Sequence, residues 1–102
     1  MTLPPAKLDG AKVLFYATLH QEHRATGNTR HYVGGELMRP AAGLAICRYE
    51  SDVGFYLFYC DGEWNVVTDT YHESVEEARN QAEFEYEGVS NSWEEISLEG
   101  AV

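Results

Sequence analysis

An α+β fold is predicted: a four- to five-stranded antiparallel sheet, largely a meander, with one C-terminal helix packed on one face. Three observations carry this expectation. Residues 44–49, 54–60 and 64–69 are β-rich runs separated only by a polar turn and by Asp61-Gly62. Ser74-Val75-Glu76-Glu77 matches a capping box, in which a serine hydroxyl takes the N–H of the third helical residue. The chain has 102 residues, 44% of them hydrophobic, which is enough for one core and too short for two.

Taken in order, residues 1–10 read as an extended lead-in, with Pro4-Pro5 and then Asp9-Gly10. Residues 12–19 (KVLFYATL) alternate as a strand, with Val13, Phe15, Ala17 and Leu19 on one face and Leu14 and Tyr16 on the other. Residues 20–31 have no apolar period and carry Gly27-Asn28, the mark of a loop. Residues 32–38 fit either one strand broken at Gly34-Gly35 or a short hairpin turning there. Asp61-Gly62 is read as a two-residue hairpin turn, because both residue types tolerate positive φ. The helix is expected over residues 75–87, with Val75, Ala78, Ala82, Tyr86 and Val89 as its apolar stripe and Gly88 closing it. A short last strand is expected at 95–98. The division is thus a lead-in at 1–10, one α+β domain at 11–98 and a tail at 99–102.

Charge is strongly polarised. The chain holds 17 acids against 7 bases, a net charge of −10, with a pI near 4.6. Residues 1–48 are net +3 and residues 49–102 net −13. That field disfavours nucleic acid and anionic membranes as partners, since both require clustered Lys and Arg, and it steers a basic protein toward the C-terminal half. Acidity for solubility alone is the competing explanation. No apolar run approaches the ~18 residues that span a bilayer, and the start lacks the pattern of a signal peptide. A cytoplasmic location is expected. Cys47 and Cys60 fall on adjacent strands at least three positions out of step, ~10 Å apart along the strands at ~3.3 Å per residue. A disulfide needs Cα atoms within ~7 Å, so free thiols are expected.

Catalytic and metal-binding patterns are weak. His20, His23 and His31 lie in one loop region, the basis of an alternative reading as a small-ligand or metal-binding domain, but zinc spacings such as Cys-x-x-Cys are missing. Asp69, His72 and Ser74 resemble a triad only in composition; a strand end and a helix cap account for them better. Neither enzyme activity nor a cofactor is expected. The outer face of the helix is more informative. At 3.6 residues per turn, Glu76, Glu77, Asn80, Glu83, Phe84 and Glu87 fall opposite the apolar stripe. An aromatic ringed by carboxylates reads as a docking patch for a basic protein, unless Trp93 and the tail fold over Phe84.

Residues 54–61 (GFYLFYCD), Trp64, Thr68-Asp69-Thr70, His72, residues 81–86 (QAEFEY) and Trp93 together resemble a pattern in small acidic bacterial proteins, many of them uncharacterised and some similar to immunity proteins that neutralise secreted toxins. The resemblance implies a bacterial cytoplasmic protein that binds and performs no chemistry. It carries no defined site residue. The strand at 54–60 is apolar on both faces, and one helix covers only one of them. Loops and termini cover the other, or a two-fold homodimer does, through tyrosines such as Tyr16, Tyr56 and Tyr59.

Overall fold

A computed structural model describes residues 2–20 and 23–96. The first two strands, β1 (Lys7–Leu8) and β2 (Ala11–Thr18), form a tight hairpin. Its turn is Asp9-Gly10, with φ of 47° and 81°, the pair of positive values a type I′ turn demands. The predicted lead-in therefore already contains sheet. A separate hairpin follows, β3 (Tyr32–Val33) and β4 (Glu36–Leu37), turning at Gly34-Gly35 with φ of 60° and 84°. Then come β5 (Gly43–Arg48), β6 (Phe55–Cys60) and β7 (Val66–His72), the expected three-stranded meander. The helix α1 (Val75–Glu85), a 3-10 turn (Val89–Asn91) and β8 (Glu94–Glu95) complete the order.

The fold class is α+β, as the sequence predicts. The sheet order is β1-β2-β5-β6-β7, all antiparallel, with β8 also pairing with β2 at Phe15 and Tyr16. Among the described residues six strands stand where four or five are expected, because two two-residue strands share the outer edge of β2. The last strand begins at residue 94, one position before the predicted 95–98; residues 97 and 98, like the tail 99–102, lie outside the described residues.

Two local corrections have clear causes. The pairing of β2 with β5 shifts between Val13 and Phe15. This bulge turns Val13 to the face of Ala11 and Tyr16, while Phe15 and Ala17 stay on the helix side. Strict alternation had placed Val13 with Phe15. Asp61-Gly62 is likewise part of a five-residue loop, because Cys60 pairs with Val66. The Asp61 carboxylate accepts the N–H groups of Glu63 and Asn65 at 2.8 and 2.9 Å, and Trp64 adopts φ 63°. Trp64 is thus a loop residue whose ring turns back over the sheet.

Both faces of the sheet carry a core. On the helix side Leu44, Ile46, Leu57 and Tyr59 pack against Ala78, Ala82, Tyr86 and Val89, which is the predicted apolar stripe. On the far side Val13, Tyr16, Ala45, Cys47, Phe58 and Cys60 pack beneath Trp64 and Leu8. Trp64 Nε1 donates to the Thr2 carbonyl at 2.7 Å, and Pro4 is buried. The N-terminal segment and a loop therefore cover the second face. Tyr16 is only 8% exposed there, and Tyr59 belongs to the helix side. Both cysteines are free and buried. Gly43 pairs with Cys60 and Cys47 with Tyr56, so the thiols are four positions out of step. The radius of gyration, 12.9 Å, is what a compact chain of this length has at ~13 Å. No described helix is long and apolar enough to cross a membrane.

Candidate functional site

The helix that carries the predicted docking residues is held at both ends. At its start the Ser74 hydroxyl accepts the Glu77 N–H at 3.0 Å. Glu77 Oε1 faces His72 Nδ1 at 3.2 Å and takes the Glu73 N–H at 3.4 Å. The triad composition is thereby dissolved. Ser74 caps, and His72 is tied to Glu77 and to Thr70 Oγ1 at 2.7 Å. Asp69 pairs with Phe58 on the far face of the strand, opposite to His72, which pairs with Phe55 on the helix face.

At the other end the helix stops at Glu85, two residues before the predicted 87. The cause is the loop that precedes the β3–β4 hairpin. Helix C-termini leave carbonyls without intrahelical partners, and here Thr26 Oγ1 and Asn28 Nδ2 donate to the Phe84 carbonyl at 2.6 and 2.9 Å. Thr26 N donates to the Glu85 carbonyl and Glu87 N to that of Arg24. Ala25 and Tyr86 form a bridge. The chain is therefore drawn into extended geometry at Tyr86. Gly88, with φ 88°, starts the 3-10 turn.

Of the six residues predicted as a docking patch, Glu76, Glu77, Asn80, Phe84 and Glu87 are exposed, Phe84 at 52%. Trp93 packs against the helix-side core, not over Phe84. Glu83 differs. Its carboxylate accepts the N–H groups of Gly88 and Ser90 at 2.8 and 2.9 Å, and those bonds hold it below the usual glutamate range. Glu83 thus serves mainly to close the turn after the helix. Glu87 faces Arg24 at 3.5 Å, both well exposed.

One residue escaped the sequence reading. Glu85, 4% exposed, lies on the buried side of the helix. His31 Nε2 lies 2.7 Å from its Oε1, Gln81 donates to Oε2 at 2.8 Å, and the Tyr59 hydroxyl donates to the same oxygen. Burial and this carboxylate push the Tyr59 hydroxyl far above the ordinary tyrosine value. Beside this cluster, under the β3–β4 hairpin, is a cleft of about 210 Å³. His31 and Glu85 line it together with Arg30, Arg39, Leu37 and Tyr86. The only sequence signal for Glu85 was an acid next to the apolar stripe, a position more often solvated than buried.

The His20 and His23 rings lie 5.8 Å apart between centroids, but His31 does not join them. His23 Nδ1 accepts the His20 N–H at 3.0 Å and its Nε2 meets Ser92 Oγ at 2.7 Å, whereas His31 turns to Glu85 and Tyr59. Among the described residues no group of three His, Cys, Asp or Glu side chains is placed to hold a metal ion. Comparison with protein-family models, with curated proteins and with solved structures gives no match.

Proposed function

We propose that this chain is a non-enzymatic protein-binding module that engages a basic protein partner through the solvent face of α1. The observation that carries the reading is Phe84, half-exposed on a helix capped at both ends and flanked by Glu76, Asn80 and Glu87. Docking surfaces are dominated by a few aromatic anchors, and a charged rim steers approach and sets specificity. The −13 balance of residues 49–102 supplies that steering for a basic partner. The resemblance to immunity proteins makes a secreted toxin, bound in a bacterial cytoplasm, the most concrete partner.

The test is binding, by titration calorimetry, to a basic protein encoded beside this one. Phe84→Ala is expected to weaken it by about tenfold or more, the loss of roughly 1.4 kcal/mol. Glu76→Lys with Glu87→Lys should slow association and flatten its salt dependence. Glu83 is left intact in both, since its substitution would also loosen the helix end. Unchanged affinity in both variants refutes this surface.

A second reading, the small-ligand domain, draws on the cleft beside His31 and Glu85. It predicts ligand-induced shifts at His31 and Arg39 amides, without a metal and without His20 or His23. Shifts confined to His20 and His23 on zinc addition would return the metal version of that reading.

A further inference from the structure

The register of the sheet places three cations in one row. Lys7 of β1 pairs with Lys12 of β2, and Lys12 pairs in turn with Arg48 of β5. Directly paired residues project from the same face, and like charges so placed repel. All three are exposed, and no carboxylate of the described residues lies within 4.0 Å of any of them. The row holds three of the seven Lys and Arg residues of a chain whose net charge is −10. Protection of a sheet edge, the usual task of an exposed strand lysine, accounts only for Lys7. Lys12 and Arg48 stand on strands paired on both sides.

The surroundings are shaped as well as charged. The three cations line a concavity of about 510 Å³, with Leu14 as its apolar shoulder and, among the described residues, Glu50 as its single acid; the Tyr49 ring packs on the far face against Tyr56. Arg48 is oriented before any ligand arrives: its Nε donates to the Asp52 carbonyl at 3.2 Å, and its guanidinium lies 5.5 Å from the centre of the Phe55 ring. The Tyr49 hydroxyl donates to the Asp9 carbonyl at 3.0 Å, which ties the β1–β2 turn to β5.

We infer that this row is a binding site for a condensed phosphate, a di- or triphosphate group that is free or carried on a small organic molecule. Strands lie ~4.8 Å apart, so the row spans ~10 Å. A condensed phosphate presents charged oxygens along a chain and meets several cations at once, whereas one carboxylate meets one. Arg48 supplies paired donors and the lysines compact point charges, the two ways proteins hold phosphate. A nucleic-acid strand is too long for the site. Beyond a Debye length of ~8 Å it would meet the acidic half of the molecule.

The experiment is thermal unfolding of the full chain with sodium tripolyphosphate, against sodium chloride and citrate at matched ionic strength and without divalent metal. Tripolyphosphate is expected to raise the melting temperature by about 4–8 °C at saturation. Lys12→Gln should raise the melting temperature of the anion-free protein, because it relieves repulsion, and should remove most of the tripolyphosphate shift. Lys7→Gln should act in the same direction, more weakly. A nucleoside triphosphate that shifts the protein further than tripolyphosphate would assign the organic part to the apolar shoulder at Leu14; an equal shift would assign the site to the phosphate chain alone. A shift matched by citrate or by chloride, or one that persists in Lys12→Gln, overturns the proposal.

Discussion

The two faces of the sheet are built by different means. The helix-side core is pinned by polar bonds: Glu85 gathers His31, Tyr59 and Gln81, and the Tyr86 hydroxyl accepts the Ala41 N–H at 2.9 Å. The far core is apolar, with Phe58, Val13, Cys47 and Cys60 under Trp64, and its cover is irregular chain held by the bond from Trp64 to the Thr2 carbonyl. A regular helix brings its own hydrogen bonds and can carry a buried acid inward. An extended segment has few, so it closes a face best when little beneath it needs a partner.

The largest effect should come from the dry face. Phe58→Ala is expected to cost about 3–5 kcal/mol in denaturant unfolding, since the ring is 1% exposed and its neighbours cannot collapse into the space. On the pinned face Glu85→Ala should cost about 2–3 kcal/mol, through buried donors left without an acceptor, and Glu85→Gln should cost less. Reversal of this order would mean that polar pinning, not apolar burial, dominates. Gly54→Ala comes next, at about 1–2 kcal/mol. A Cβ there would stand 2.0 Å from the Tyr71 hydroxyl, and Tyr71, 46% exposed, must swing away.

Titration separates the faces further. The Cys60 thiol is pushed up to about 12 and that of Cys47 higher still, by burial first. Neither should react with a thiol reagent at pH 8 until the protein unfolds. Tyr59 and Tyr86 are also raised, mainly by burial. Their contribution is present below the unfolded tyrosine value near 10 and is lost as pH rises beyond it, so alkaline unfolding should release tyrosinate absorbance cooperatively. Glu83 has the opposite sign. Its lowered pKa gives stability above its ordinary value of 4.5 that fades as pH falls through the folded one. Glu83→Gln should therefore flatten the acid limb. The smallest effect belongs to the Arg24–Glu87 pair, where Arg24→Ala should change stability by less than about 0.5 kcal/mol because both side chains are solvated.

Much of this was legible locally. The meander, the capping box at Ser74 and the stripe from Val75 to Val89 are written in short-range periodicity, as is the outward placement of Phe84. The Asp-Gly signal correctly marked the β6–β7 hairpin, though not its loop length, while the tighter turn lies at Asp9-Gly10, inside the predicted lead-in. At Asp9-Gly10 nothing competes with the turn, whereas at Asp61-Gly62 the Asp61 carboxylate captures backbone N–H groups and opens a longer loop. The candidate surface was readable because helical spacing sets it; the role of Glu83 was not, because its partners belong to the turn after the helix.

What the sequence determined alone is what nearest neighbours along the chain decide: element type, helix start, apolar stripe, charge polarity and the misregister of the two cysteines. What only the tertiary structure decided is whatever depends on chain segments far apart in sequence. Thr26 and Asn28 end the helix from 58 and 56 residues away. A bulge at Val13–Phe15 exists only because β5 lies alongside β2. The burial of Glu85 needs His31 from a loop without any periodic signal, and the row of Lys7, Lys12 and Arg48 needs three strands brought into register. Propensity acts over a few residues, while burial and charge pairing are properties of the space in which distant residues meet.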